Sequence, residues 1–212
     1  DYLPNLPEIP GAIKVSSGSN ITFQNPDSID LAVNFNTPDK LIEVAEKGFI
    51  YDTDNLPDDC YYGDQIGYLR SILNITYKYA PNISKAYNAA TNANMYSGNE
   101  LSRQLAIVAR LIKGNLGTRL YMVTLDGFDT HENQNTNHPK LMNDIASAIS
   151  EFYNDLQVGG KANDVLAMTF SEFGRRVKEN GGGTDHGTAA PVMFFGPALE
   201  GNAILGKNPD MK

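Results

Sequence analysis

A chain of 212 residues, 41% hydrophobic and 20% charged, has the composition of an ordinary globular protein and the length of one substantial domain or a large part of a bigger one. Its formal net charge of −8 contains no block of like charges, which argues against nucleic acid or an anionic membrane surface as a partner, since both need clustered Lys and Arg. The single cysteine, Cys60, excludes an internal disulfide framework and a cysteine-rich zinc site, and the lack of an 18-residue apolar run excludes a membrane-spanning helix.

Residues 1–36 hold Pro4, Pro7, Pro10 and Pro26 among short stretches such as "AIKV" and "ITFQ". They read as loops with one or two short strands. "NTPDKLIEVAEKG" predicts a helix, with Thr37 as N-cap, Pro38 at the first helical position and Gly48 after the end. From Asp64 to Thr91, Ile66, Leu69, Leu73 and Tyr77 recur at helical spacing. Pro81 is expected to break or kink that helix, which "NISKAYNAA" resumes. "NELSRQLAIVARLIKGNLG" predicts a further helix, with Leu101, Leu105, Val108 and Ile112 along one face and Gly114 near the stop.

Then the period changes. "TRLYMVTL" reads as a buried strand, "HPKLMNDIASAISEFYNDLQ" as an amphipathic helix and "NDVLAMTF" as a second apolar strand. "GGGTDHGTA" reads as a loop and "PVMFFG" as a third strand. Strand, helix and strand of these lengths predict a βαβ unit. Residues 119–125 and 164–170 should be parallel, 192–195 should join the same sheet, and 139–157 should pack on its face. The whole reads as one partial domain over 1–212: loop-rich 1–63, helical 64–118, and a strand and helix core over 119–212.

In open α/β sheets, ligands gather at the carboxyl ends of the strands. Asp126, Asp129 and His131 follow the first of these strands; Ser171, Glu172, Arg175 and Arg176 follow the second; Asp185 and His186 precede the third. Carboxylates with neutral imidazoles suit zinc, manganese or iron, and magnesium less readily. The bland alternative makes Asp126 a turn cap, His131 a solvated loop residue and Glu172 a surface carboxylate. His138, before Pro139, is expected to be extended at the entry to a helix, as a cap or rim residue rather than a ligand. Ser171 lacks the Gly-x-Ser-x-Gly elbow and an adjacent histidine base, so a nucleophile role is disfavoured. Arg175 and Arg176 suit a bidentate clamp on phosphate or sulfate, or pairing with nearby acids. Gly181-Gly182-Gly183 lacks the Lys-Ser/Thr of a phosphate loop and reads as a flexible hinge that delivers Asp185 and His186. Asn20, Asn74 and Asn82 match the N-glycosylation pattern, as chance produces at this Asn content.

The stretches "RQLAIVARLIKGNLGTRLYMVTLDGFDTHENQ", "TFSEFGRR" and "GGGTDHGTAAPVMFFGPALEGN" resemble an uncharacterised bacterial family, a domain of unknown function whose members often carry twin-arginine export signals. That family in turn resembles the alkaline phosphatase and sulfatase clan, which has an α/β/α sandwich with two metals at the carboxyl ends of its strands. The resemblance implies that Asp129, His131 and His186 bind one metal. It also implies that Asp126 and Glu172 are metal ligands or acids directly behind them and that Arg175 steadies an oxyanion, and Asp185, next to His186, is expected among the metal-binding acids.

Three departures stand out. Ser171-Glu172 replaces the clan's Asp-His, so a second metal would lose an imidazole, and the spacing from Asp129 to His131 is shorter than the clan's. The nucleophile and another metal-binding Asp of the clan come from an amino-terminal strand without a counterpart here. The resemblance therefore implies the carboxyl-terminal part of an alkaline-phosphatase-like α/β domain with a mostly parallel sheet, from an exported protein of the periplasm or cell surface. The intact protein would use a divalent metal, zinc first, with manganese, calcium or magnesium as alternatives. It would hydrolyse a phosphate or sulfate ester of a small molecule or glycan, and this part alone, without its amino-terminal half, would be inactive. The competing expectation is a non-catalytic exported binding or assembly protein on the same fold.

Overall fold

The computed structural model describes residues 7–16, 21–23, 32–53, 55–56, 61–201 and 204–207; Pro4, Asn20, Pro26 and Cys60 lie outside them. The chain divides into two compact units, residues 1–92 with 104–124, and residues 93–103 with 125–212. Among the described residues, no helix is long and apolar enough to cross a membrane.

The first unit is built on a three-stranded parallel sheet. β1 (Ala12–Val15) is central, flanked by β2 (Ala32–Phe35) and β3 (Leu120–Val123). All four β1 residues are buried, Lys14 included, as befits a central strand covered on both faces. "AIKV" is thus a strand as expected, whereas Ile21–Phe23 forms a short 3-10 turn. β3 is a strand as expected but not a buried one. It is an edge strand, half-exposed, with Leu120 57% exposed.

α1 (Pro38–Lys47) follows its signals: Thr37 is the extended N-cap, Pro38 opens the helix and Gly48 closes it. α2 (Tyr61–Ala89) runs through Pro81 as one helix, so of the expected break or kink the break does not occur. Pro81 is exposed, while Tyr79, Ala80, Ile83 and Ala86 around it are buried. That burial outweighs the roughly 3 kcal/mol that an internal proline costs. α3 (Glu100–Lys113) starts in the second unit and continues in the first. Asn99 caps it by accepting the Ser102 N–H at 2.8 Å. Leu101, Leu105 and Val108 are buried along one face. At Gly114 a Cβ would collide with the Ala86 carbonyl oxygen, so glycine permits the close approach to α2.

Two buried carboxamides finish this unit. Asn74 accepts the Tyr51 N–H at 2.8 Å and donates to the Tyr51 carbonyl at 2.9 Å. Gln104 does the same for Thr124, accepting at 2.8 Å and donating at 2.9 Å, and so ends β3 by pairing the next backbone unit with a side chain. Each side chain imitates a neighbouring strand.

The second unit centres on α4 (Gln134–Val158). The helix begins ahead of His138 and Pro139, so His138 is helical rather than extended. Its ring meets the edge of Phe128, with centroids 5.9 Å apart. Asp155 is fully buried and accepts the Ala93 N–H at 2.8 Å and the Tyr96 hydroxyl at 3.0 Å. Glu151 accepts the Ser97 N–H at 3.0 Å and the Ser102 hydroxyl at 2.7 Å. Two acids one turn apart on α4 thereby hold residues 93–103.

Four short strands form two antiparallel ribbons, β4 (Ala167–Met168) with β7 (Phe194–Phe195), and β5 (Gly174–Glu179) with β6 (Thr184–Gly187). The expected βαβ unit is therefore corrected. Among the described residues β3 pairs with β1, and β4 pairs antiparallel with β7. Local bonds favour the ribbon. The Tyr153 hydroxyl of α4 donates to the Phe195 carbonyl at 2.6 Å and accepts the Ala167 N–H at 3.1 Å, and Thr169 donates its N–H to the Met193 carbonyl at 2.9 Å. The helix reaches β4 and β7 through the Tyr153 hydroxyl. On the other face Leu166, Met168, Phe170, Val192 and Phe194 are exposed. The stretch read as a loop before the third strand contains β6, and β5 was not anticipated at all. The α/β class holds, with a parallel sheet in which the expected strand β3 joins β1 and β2.

Asn74→Ala removes both bonds to Tyr51 while leaving that backbone in place, and is expected to lower stability by about 2 kcal/mol, the scale for orphaning buried polar groups. Urea denaturation checks this, and a change below about 0.5 kcal/mol would show that water replaces the carboxamide.

Candidate metal centre

The site lies within the second unit. Leaving Leu125, the chain passes exposed Asp126 and turns at Gly127, whose φ of +97° is accessible to glycine at little cost. Phe128 to Asn133 then form the loop that carries Asp129 and His131. The β5–β6 hairpin carries Arg175 and His186, which are direct cross-strand partners.

The hairpin turn is pinned rather than hinged, which corrects the reading of the triple glycine. The Asn180 N–H donates to the Gly183 carbonyl at 3.0 Å. The Asn180 side-chain oxygen accepts the N–H groups of Gly182 at 3.3 Å and Gly183 at 2.9 Å. Gly181 and Gly182 take the central places of this turn, Gly181 with φ +103°, and a Gly-Gly pair is itself a hairpin signal that could have revealed β5 and β6 from the sequence.

Three contacts join hairpin and loop. The Gln134 N–H at the start of α4 donates to the Gly182 carbonyl at 3.1 Å. A Cβ at Gly183 would collide with the Thr130 carbonyl and with the His131 backbone, so only glycine allows this approach. Arg175 donates to the Phe128 carbonyl at 2.6 Å and to the Thr184 carbonyl. Its side chain is 21% exposed, and one nitrogen lies 3.4 Å from Asp129 Oδ1.

As a result, donors converge on a single carboxylate oxygen. His186 Nε2 lies 2.7 Å and His131 Nε2 3.0 Å from Asp129 Oδ1. Among the described residues, Asp129, His131 and His186 form a group whose ligand atoms all lie within 4.8 Å of one another. A carboxylate only accepts, so without a cation each Nε2 near Asp129 must carry a proton to bond it. His131 Nδ1 faces Asp185 Oδ1 at 3.4 Å, and Asp185 accepts a hydrogen bond from Asn180 at 3.1 Å.

The remaining expected residues divide. Asp126, Glu172 and Asp185 fall outside the three-residue group. Asp185 stands behind His131, and Asp126 and Glu172 are exposed. The Ser171 hydroxyl donates to the Phe173 carbonyl at 2.8 Å. Sequence reasoning missed Phe173 and Asn180. The Phe173 ring stacks on His186, with centroids 3.9 Å apart and planes 7° from parallel. Asn74 and Asn82, which match the glycosylation pattern, spend their carboxamides on backbone, Asn82 on the Glu8 carbonyl at 2.7 Å.

The electrostatics follow the contacts. The His186 hydrogen bond is the main cause holding the Asp129 carboxyl below its ordinary range; desolvation opposes it, and the charges of His131, His186 and Arg175 add to it. Asp185 is also lowered, chiefly by the Asn180 hydrogen bond. Beside the cluster a polar cleft is lined by His131, Glu132, Asn133, Asn180, Gly181 and Gly182.

Residues 77–212, more than half of the chain, match the family described as "Protein of unknown function (DUF1501)", and the chain belongs to it. No curated protein and no solved structure gives a significant match.

A depressed folded-state pKa stabilises the fold above the unfolded value, and that contribution is lost as pH falls through the folded value. Asp129 is therefore expected to stay ionised below the ordinary Asp pKa of about 3.9. Carbon-13 NMR of its carboxyl checks this: His186→Ala should move the midpoint upward, and an unmoved midpoint would contradict the assigned cause.

Proposed function

We propose that this member of the DUF1501 family carries a divalent-metal centre, zinc first, that serves hydrolysis of a phosphate or sulfate ester in an exported protein, on an α/β/α sandwich of alkaline-phosphatase type. One observation carries the reading: two imidazole Nε2 atoms meet one carboxylate oxygen, at 2.7 and 3.0 Å, in a loop and hairpin held by further bonds. Donor atoms bound to zinc at about 2.0–2.1 Å in a tetrahedron stand roughly 3.3 Å apart, so modest opening of this cluster fits the ion. Asp129, His131 and His186 would hold it and leave a fourth position open, as catalytic zinc sites do. A bound zinc ion supplies Lewis acidity and lowers the pKa of an attacking water.

The chain's own groups have distinct parts. Asp129 offers an ionised oxygen over a wide pH range. Asp185 backs the Nδ1 of His131 and favours presentation of Nε2, the outer-carboxylate arrangement common behind metal-bound imidazoles. Arg175 spends donors on the Phe128 and Thr184 carbonyls, which favours a bracing role over a free oxyanion clamp. The polar cleft, with Glu132, Asn133 and Asn180, suits a hydroxyl-rich small molecule or glycan ester. Ser171 is occupied by the Phe173 carbonyl, which supports a nucleophile supplied by other residues of the intact protein or by water.

A second reading, a non-catalytic binding or assembly protein that keeps the cluster as a structural clip, is favoured by the exposed apolar face of Leu166, Met168, Phe170, Val192 and Phe194. Zinc titration and a panel of phosphate and sulfate esters separate the two in the full-length protein. Turnover with zinc supports the hydrolase, and tight zinc binding without turnover supports the clip. His131→Ala and His186→Ala should each weaken zinc binding by about 100-fold or more, at or beyond the range for outer partners. Unchanged affinity in both variants would remove the metal reading. The 212-residue chain alone should show no enzymatic turnover with zinc or manganese, and turnover abolished by Ser171→Ala would put the nucleophile at Ser171 after all.

A further inference from the structure

We propose that Phe173 is a positioning residue that sets the ring plane of His186 for metal binding; the inference rests on the metal reading above. An imidazole has a broad torsion about its ring bond, so a ligand needs something beyond its metal-facing nitrogen to fix the plane. His131 has such a partner in Asp185, 3.4 Å from its Nδ1. His186 has no hydrogen-bond partner at Nδ1 among the described residues. Its ring instead lies flat on Phe173, with centroids 3.9 Å apart and planes at 7°. The other neighbouring ring, His131, is farther and tilted, at 5.0 Å and 32°.

Strand geometry explains the arrangement. Phe173 and Arg175 are two residues apart and so project to one side of β5, while His186 is the cross-strand partner of Arg175. Phe173 is then the diagonal neighbour of His186, within reach of an aromatic ring. The Arg175 guanidinium carbon sits 5.1 Å from the centre of the Phe173 ring, a cation–π contact on the same aromatic group. Gly174 and Gly187 are opposite one another, and a Cβ on either would collide with facing backbone. The two glycines let the strands close enough for the rings to touch. A plane fixed in this way keeps His186 Nε2 aimed at Asp129 Oδ1, 2.7 Å away.

The test compares wild-type protein with Phe173→Leu, which keeps apolar bulk without a ring, and Phe173→Tyr, which restores the ring. Two readouts are taken: proton NMR shifts of the His186 ring in metal-free protein, and zinc affinity by competition with a chromophoric chelator. The expected result is loss of the upfield ring-current shift in Phe173→Leu, with zinc affinity weaker by on the order of tenfold, and recovery to within about twofold in Phe173→Tyr. Wild-type affinity in Phe173→Leu, or equal weakening in both variants, would overturn the proposal. If Phe173→Leu does not fold, Phe173→Tyr and the wild-type ring shift still decide: a His186 resonance without a ring-current shift in metal-free protein overturns it. Failure of the metal reading looks different, because wild-type protein would then take up no zinc while the His186 ring shift persists; the metal-positioning role falls with that reading.

Discussion

One guanidinium joins the two segments that carry the imidazoles. Arg175 donates to the carbonyl of Phe128 in the loop and to that of Thr184 in the hairpin, and its charge lies beside Asp129. The planar fork of arginine spans both acceptors at once, which a single ammonium cannot do in the same geometry. The other contacts of the site gather around that junction: the close pass at Gly183, the bond from Gln134 to Gly182, and the meeting of His131 and His186 over one carboxylate oxygen. A residue that resembles an anion clamp in sequence acts here first as a brace.

The second unit handles its acids in two ways. Asp155 and Glu151 accept from backbone N–H groups and hydroxyls. Those donors keep their protons near neutral pH, so the bonds are permanent fixtures of the fold. Asp129 accepts from imidazole nitrogens. An imidazole nitrogen can release its proton to solvent and offer the freed lone pair to a metal, so the same contact can become a coordination shell. The difference lies in the donors, since all three groups are ordinary carboxyls.

The helices were legible in the sequence because their signals are local. Thr37, Pro38 and Gly48 bound α1, and the three-to-four spacing of apolar residues marks α3. Pro81 does not end α2, because the burial around it is a tertiary effect. The strands were less legible. "VLAMTF" says that a strand is apolar on both faces but does not name its partner, and Tyr153 and Thr169 decide that. β5 is mostly exposed and charged, so it lacks the apolar alternation by which strands are recognised. At the site, Asp129, His131 and His186 were visible from residue type and place. Phe173 was not, because its role depends on a diagonal contact that only the hairpin creates. Asp126 and Glu172 had the right chemistry, but the three-residue cluster forms without them.

The turn that closes the hairpin also sets a chemical clock. Asparagine followed by glycine is prone to lose its side-chain amide, because no Cβ on the next residue hinders attack by that residue's backbone nitrogen. Asn180 precedes Gly181, yet its oxygen is held by Gly182 and Gly183 and its nitrogen by Asp185. Those bonds restrain the carboxamide from turning toward its attacker, so folding slows the ageing of its own turn. Once the amide is lost, a carboxylate stands where a donor faced Asp185 at 3.1 Å, and two negative charges oppose each other behind His131. The lifetime of the site is then tied to the integrity of one amide at the hairpin tip.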